Sequence, residues 1–327
     1  MKMRHLPVLP EFPRPLLFAH RGLNRKYLEN SMESFEAAFN AGVPGIELDV
    51  HLTADDKLVI FHDDTTSRIE QKIQPEAPAR NLELEASTFV ELRSLFIGAH
   101  ISLLDELFDC FGEALYYDIE LKSRSTADTG LASKVASAIR SHNLESNCII
   151  SSFNPFALRY FRQAESAVPV GIIWSNSDEL YWFLRHGEGA LISKSDFLKP
   201  ESSLFANMAG RPPLHLLPWF RGSKEKPIIP WTVNDPEKAC YFIDQGSTGV
   251  ISDIADEILI RFRAEHEQAA AADASDSKRT KPKASPLLID GKTVTAAVVY
   301  SSNKASSEIE FEIEARFSKP HSAIRLR

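Results

Sequence analysis

Cysteine is scarce in this chain. The 327 residues hold three, Cys110, Cys148 and Cys240, far apart, each in an apolar stretch and none with a Cys or His partner at zinc-site spacing. That pattern excludes a disulfide framework and points to buried free thiols in a reducing compartment. Long hydrophobic runs are missing too. No segment could span a bilayer, and Pro7, Pro10, Pro13 and Pro15 interrupt the apolar residues near the N-terminus before a signal-peptide core can form. Cytoplasmic residence without stable membrane insertion is therefore expected. Basic charge is in deficit, with 37 Lys and Arg against 45 Asp and Glu for a net charge of −8. With no long basic run in the main body, broad nucleic-acid binding is excluded. Also absent are a Gly-rich nucleotide loop, a Gly-x-Ser-x-Gly elbow, a Cys-x-x-Cys pair and a His-Glu-x-x-His, so dehydrogenase, P-loop and serine-hydrolase readings have no residue support. The oligomeric state has no signature in the sequence.

What is present is ample core material, 43% apolar residues, enough for one large α/β domain or two ordinary ones. Short apolar or β-branched runs alternate with helical patterns from about residue 16 to residue 268, the habit of repeated βα units around a parallel sheet. Eight runs read as strands: Leu16–Ala19, Gly45–Val50, Ala114–Leu121, Cys148–Phe153, Pro169–Trp174, Ala190–Ser193, Ile228–Val233 and Thr248–Ser252. Helical patterns fall at Ser31–Ala41 behind an Asn30 cap, and at Gly130–His142, Pro155–Ala164, Asp178–Arg185, Pro236–Gln245 and Ala255–Gln268. The expected fold is α/β, a (β/α)8 TIM barrel over residues 1–268. Leu58–Phe61 reads as an extra strand, and residues 64 to about 101 as an insertion after the second strand, with Ser87–Leu95 helical and Ser102–Phe111 returning to the barrel wall. Residues 269–286 read as a flexible linker. Residues 287–327 form a β-rich extension, in which the turn signal Asp290-Gly291 precedes two alternating runs, Thr293–Tyr300 and Glu308–Phe317, of a small antiparallel meander.

Four short clusters carry the chemistry. Glu47 and Asp49 stand two apart in a strand-like run, so both carboxylates leave one face while Leu48 turns to the helix layer; Glu120 and Lys122 repeat the spacing. At the C-terminal ends of neighbouring barrel strands these side chains converge above the core, where three carboxylates suit a hard cation such as Mg2+ or Ca2+. One Glu-x-Asp alone would read as an ordinary solvated strand end, whereas carboxylates on two successive strands favour a site. His20 and His62 each follow a wholly apolar run, which delivers both imidazoles to buried strand ends as candidate proton carriers, and Asp63 is placed to orient His62. Arg21 offers a planar fork for two phosphate oxygens and Lys122 a compact charge beside Glu120; salt bridges to the same carboxylates are compatible with that role. Trp231, flanked by Thr232 and Asn234, is the aromatic expected to line a substrate pocket. The remaining histidines, among them His51, His100 and His215, read as structural or exposed.

The ordered motifs His20-Arg21-Gly22, Glu29-Asn30-Ser31, Glu47-Leu48-Asp49, Thr53-x-Asp55, Val59 to Asp63 and Glu120-Leu121-Lys122, followed by Ser151-Ser152-Phe153, Trp231 to Asn234 and Gly249 to Asp253, together resemble the glycerophosphodiester phosphodiesterase family over about residues 16 to 260. The resemblance implies a (β/α)8 barrel with an insertion after the second strand and metal-dependent cleavage of glycerophosphodiesters to glycerol 3-phosphate and an alcohol. It also implies His20 and His62 as the catalytic pair, Glu47, Asp49 and Glu120 as metal ligands, and Arg21 and Lys122 as phosphate contacts. Two departures stand out. Ser102-Leu103-Leu104 replaces the family's Pro-Thr-Leu, and Ser252-Asp253 replaces its final Thr-Asp. Two other readings compete: cleavage of a lipid phosphodiester in the manner of a lysophospholipase D, and a non-catalytic glycerophosphodiester binder with the C-terminal meander as a docking module.

Overall fold

Strands β1 (Leu16–His20), β2 (Gly45–Leu52), β4 (Tyr116–Leu121), β5 (Cys148–Ser152), β6 (Val170–Trp174), β7 (Phe197–Pro200) and β8 (Gly249–Ser252) lie side by side in the order β7-β6-β5-β4-β2-β1-β8. Every neighbouring pair on this path is parallel, and the short β3 (Leu58–Ile60) returns antiparallel on β2. The computed structural model describes residues 6–76, 78, 80–177, 184–185, 187–208 and 226–265, and the strands at 286–289, 292–299 and 312–316. The helices α1 (Met32–Asn40), α4 (Leu104–Phe111), α5 (Leu131–Ser141), α6 (Pro155–Ala164), α8 (Ser202–Met208) and α9 (Pro236–Asp244) alternate with the strands, and residues 255–265 are helical after β8. This is a curled α/β sheet of the TIM-barrel type.

The period of two along each strand sorts its residues into two cores. Leu17, Ala19, Ile46, Leu48, Val50, Tyr117, Ile119 and Leu121 face the helix layer, while Leu16, Phe18, Tyr116, Ile149, Phe197, Ile229 and Ile251 fill the inside of the sheet together with Val8 and Leu9. Each fully buried aromatic in that plug contributes about 1.5–3 kcal/mol. Tyr116 lies flat against β2, where Gly45 has no Cβ to obstruct the ring, and its hydroxyl accepts from Leu17 N–H at 2.8 Å and donates to Leu17 C=O at 3.1 Å. Toward the C-terminal ends the same inward positions turn polar: Glu47, Asp118, Ser151 and Lys199, then Asp49 and Glu120 above them. The apolar plug is thus the floor of an ionic layer.

One expected strand is a helix. Residues Gly189–Ser193 form the short helix α7, and the strand that follows is Phe197–Pro200. A four-residue run, Ala-Leu-Ile-Ser, is too short for periodicity to tell a strand from a helical turn, and the tell-tale Lys199 and Pro200 read as breakers. The expected strand at Ile228–Val233 takes an irregular form. Leu198 N–H donates to Pro227 C=O and Ile229 N–H to Leu198 C=O, both at 2.9 Å, while on the other flank Thr248 N–H donates to Ile228 C=O at 2.8 Å and Val233 N–H to Ile251 C=O at 2.9 Å. Pro227 and Pro230 have no N–H to give, so no continuous ladder forms there.

Between β3 and α4 lie α2 (Ser67–Ile73) and α3 (Phe89–Arg93), the latter started by a Thr88–Glu91 capping box. Ile69, Leu84, Leu92, Leu95, Ile97 and Ile101 gather with Val59 and Phe61 into an apolar cluster of their own. The N-cap of α1 is Ser31, not Asn30: its hydroxyl accepts from Ser34 N–H, and Asn30 takes φ +57° for another purpose described below. The three thiols are free, but Cys110 is exposed rather than buried, because α4 buries Leu104, Leu107, Phe108 and Phe111 and leaves position 110 off that stripe. The helix expected at 178–185 falls mostly outside the described residues. No helix among them is long and apolar enough to cross a membrane.

The chain divides into two compact units, Met1–Phe262 and Arg263–Arg327. In the second, β9 (Pro286–Ile289), β10 (Lys292–Val299) and β11 (Glu312–Arg316) pair antiparallel with β10 in the middle. Of the expected linker 269–286, residues 269–285 lie outside the described residues and Pro286 instead opens β9; the Asp290-Gly291 turn also lies outside them.

Candidate active site

Register brings the strand-borne groups to one height. His20 on β1 pairs with Glu47 on β2, and Asp49 on β2 with Glu120 on β4. All three carboxylates are buried, and one oxygen from each of Glu47, Asp49 and Glu120 lies within 4.8 Å of the others. Asp49 is the most constrained. Its Oδ2 accepts from Asn30 Nδ2 at 2.8 Å and faces Arg21 Nε at 3.3 Å, while Lys122 Nζ stands 3.0 Å from Oδ1. Oδ1 is buried and accepts no aligned hydrogen bond beside that ion pair. Burial works to raise the Asp49 pKa and is overridden by the charges of Lys122 and Arg21, which hold the carboxyl well below the usual range. Lys122, 2.7 Å from Glu120 Oε1, is the mirror case: burial disfavours its charge, and Asp49 and Glu120 more than restore it.

Arg21 reaches this position through a turn. It takes φ +55° and Gly22 φ +77°, so the chain leaves β1 and folds back over β2, with Arg21 N–H donating to Glu47 C=O at 2.9 Å. A left-handed arginine is uncommon, and such outliers concentrate at functional sites. Its Nη1 donates to Glu29 Oε1 at 2.9 Å. Burial opposes the guanidinium charge, and Asp49, Glu47 and Glu29 together raise its pKa above the ordinary value.

Each imidazole is tethered by a carboxylate at Nδ1: His20 by Asp253 Oδ1 and His62 by Asp63 Oδ1, both at 2.6 Å. The tether fixes each ring through Nδ1 and leaves Nε2 outside that bond; in His20, Nε2 stands 3.9 Å from Glu47 Oε2. Asp253 also accepts from Asn24 Nδ2 at 2.7 Å and Asn234 Nδ2 at 2.6 Å. Burial of Asp253 is outweighed by these bonds and the His20 charge, so it stays ionised well below the usual carboxylate range. His62 has no direct ion pair with the carboxylate triad and joins the site through Asp63 and Arg68. Trp231 lies to one side, its ring edge-on to Phe153 at 5.7 Å and its Nε1–H donating to Lys199 C=O at 3.0 Å. With Ser175, Asn176, Ser177, Glu201, Ser202 and Thr232 it lines a cavity of about 540 Å³.

Residues 20–257 match the model of the glycerophosphoryl diester phosphodiesterase family. The chain belongs to that family. A glycerophosphodiester phosphodiesterase from Caldanaerobacter subterraneus is 29% identical over 253 residues, which are 75% of this chain and 97% of that protein. Among solved structures, a glycerophosphodiester phosphodiesterase from Thermotoga maritima is 26% identical with a TM-score of 0.56, covering 76% of this chain and 98% of its own. A phosphodiesterase from Oleispira antarctica, solved in complex with the product sn-glycerol-3-phosphate, shares the fold with a TM-score of 0.57 at 22% identity over 76% of this chain and 97% of its own. This member of the family is a phosphoric diester hydrolase.

Sequence reasoning passed over several groups that hold the phosphodiesterase site together. Lys199, on β7, is buried with its Nζ 2.9 Å from Asp118 Oδ2, 3.4 Å from Glu47 Oε1 and 2.9 Å from Ser151 Oγ. Asn30 serves Asp49 rather than capping α1, and Asp253 and Asn234 serve His20. His51 is fully buried, its Nε2 3.4 Å from His62 C=O; burial and the Lys122 charge push its pKa down to about 4, so it stays neutral. A signal for Asp118 was available, since it shares the inward face of β4 with Glu120 two positions on.

Proposed function

We propose that this phosphodiesterase hydrolyses glycerophosphodiesters to glycerol 3-phosphate and an alcohol, with a divalent cation at Glu47, Asp49 and Glu120 and with His20 and His62 as the proton carriers. The observation that carries the reading is the convergence of three buried carboxylate oxygens within 4.8 Å, flanked by two fixed cations and an imidazole. An all-oxygen donor set of this kind, with Asp49 Oδ1 buried and accepting no aligned hydrogen bond, fits Mg2+ or Ca2+. When bound, such an ion would stabilise negative charge on the phosphate oxygens. The protein's own groups do the rest. Arg21 and Lys122 grip the phosphate, Nε2 of one imidazole takes the proton of the attacking oxygen, and Nε2 of the other protonates the departing alkoxide. The carboxylates at each Nδ1 keep the rings aimed.

Glycerol 3-phosphate bound to the Oleispira relative supports the choice of product; nothing favours the lysophospholipase D-like or non-catalytic readings. Trp231 and its cavity are assigned to the substrate. The hydrogen bonds that residues 227–233 make to both β7 and β8 support a complete (β/α)8 barrel, with residues 64–101 as its insertion and 287–327 as a separate extension. Free thiols support action in the cytoplasm. The test is a panel of Mg2+, Ca2+ and Mn2+ with a chelator control, measuring glycerol 3-phosphate release from glycerophosphocholine and choline release from lysophosphatidylcholine. His20→Ala and His62→Ala should each abolish glycerol 3-phosphate release and leave the circular dichroism spectrum unchanged. Normal rates in either variant, or full activity in chelator, would sink the proposal.

A further inference from the structure

Arg68 belongs to α2, in the segment between β3 and α4, and its side chain is 47% exposed, yet all four of its side-chain hydrogen bonds run toward the active site. Nη1 and Nη2 form a fork on Glu29, at 2.9 Å to Oε2 and 2.7 Å to Oε1. Nε and Nη2 form a second fork on Asp63, at 2.6 Å to Oδ2 and 3.0 Å to Oδ1. The two oxygens that Nη2 shares are the ones already in use: Glu29 Oε1 accepts from Arg21 Nη1 at 2.9 Å, and Asp63 Oδ1 meets His62 Nδ1 at 2.6 Å. One guanidinium nitrogen thereby stands between the carboxylate that holds Arg21 and the carboxylate that holds His62.

We propose that Arg68 is a positioning residue for phosphodiester hydrolysis, fixing Arg21 through Glu29 and His62 through Asp63 so that phosphate grip and proton transfer are set by one clamp. The inference rests on the roles proposed above for Arg21 and His62. Arg68 joins two like charges on separate loops, Glu29 after β1 and Asp63 after β3. Burial works to raise both carboxyl pKa values and is overcome by the bonds and charge of Arg68, helped by Arg21 at Glu29 and by His62 at Asp63, so both stay ionised. The double fork needs a planar guanidinium; a lysine ammonium carries the charge but cannot bond both carboxylates in two places each. Exposed ion pairs add little to stability, so the effect of losing this one should appear in the site rather than in the fold.

The experiment compares wild type, Arg68→Ala, Arg68→Lys, Asp63→Asn and the Arg68→Ala/Asp63→Asn double variant on glycerophosphocholine, with thermal unfolding alongside and added guanidinium as a rescue. Arg68→Ala should lose about 10-fold to 100-fold in kcat/KM while its Tm stays within about 3 °C of wild type. Arg68→Lys should not recover the loss, low guanidinium should restore part of the Arg68→Ala rate, and the double variant should cost no more than the worse single one. An independent readout, the imidazole 15N correlation of His62, should shift in Arg68→Ala and not in an Arg80→Ala control. Wild-type inactivity on the diester would refute the activity reading alone, since the His62 signal still reports on the clamp. Full activity in Arg68→Lys, or a His62 signal unmoved in Arg68→Ala, would overturn the role given to Arg68.

Discussion

Replacing Lys199 by methionine should destabilise the barrel by about 3–5 kcal/mol, the range for removing one partner of a buried ion pair. Methionine keeps the length and the apolar stem, so the change is one of charge and hydrogen bonding. Lys199 is 2% exposed, and its partners Asp118 and Glu47 are 0% and 3% exposed in their side chains. At an effective dielectric of about 20, the pairs at 2.9 Å and 3.4 Å are worth roughly 6 and 5 kcal/mol before the desolvation of three buried charges is set against them. Once the ammonium is gone, Asp118 keeps only the Ser151 hydroxyl, at 2.7 Å, and is left as an uncompensated buried charge. Burial disfavours the Lys199 charge, but Asp118 and Glu47 more than compensate, so it titrates above its ordinary 10.5. A raised lysine pKa contributes stability that is fully present below 10.5 and is lost only as pH climbs beyond it. Urea denaturation at neutral pH in the presence of chelator therefore reads the whole effect, equivalent to a fall in Tm on the order of 10 °C. Adding Asp118→Asn to Lys199→Met should recover part of the loss, because the stranded carboxylate is removed. A loss under about 1 kcal/mol for Lys199→Met, or no recovery in the double variant, would refute the reasoning.

Two other changes separate orientation from grip. Asp253→Asn replaces the acceptor that His20 Nδ1, Asn24 and Asn234 all share, and should lower kcat about 10-fold to 100-fold with little change in KM. Because the Asp253 pKa is depressed, its stabilising contribution is present above the ordinary carboxyl value of 3.8 and lost as pH falls below it; the stability gap between wild type and variant in urea titrations should close in acid, and a gap as wide at pH 3 as at pH 7 would count against the ionised pair. Gly22→Ala should cost about 1–3 kcal/mol, since φ is +77° and a Cβ would stand 2.6 Å from the Ser34 carbonyl carbon. Because the same turn aims Arg21, steady-state kinetics should show a larger rise in KM than fall in kcat, and an unchanged KM would detach Arg21 from substrate.

The parts of the site that were legible are those where one strand carries the whole message. Glu47 and Asp49 share a face because the strand period is two, and the apolar runs before His20 and His62 announce buried strand ends. Asn30 meets Asp49 19 positions away, Arg68 meets Glu29 39 away and Asp253 meets His20 233 away, and no local pattern signals such meetings. Lys199 was hidden for a different reason. A lysine followed by a proline contradicts the composition of a buried strand, and the apolar run just before it, Ala190 to Ser193, offered a more conventional candidate that proved helical.

The linked ion pairs also explain why so many cations crowd the carboxylates. Glu29, Glu47, Asp49, Asp63, Asp118, Glu120 and Asp253 are seven carboxylates, met by the four cations Arg21, Arg68, Lys122 and Lys199, so 4 − 7 leaves −3 before the two imidazoles are counted. An anionic diester approaching that field is repelled. A divalent cation among Glu47, Asp49 and Glu120 would cut the excess to −1, and one protonated imidazole would cancel the rest. Charge balance therefore ties the proposed metal ligands to the proposed proton carriers: cation and imidazolium together bring the network to neutrality, and neither alone does so.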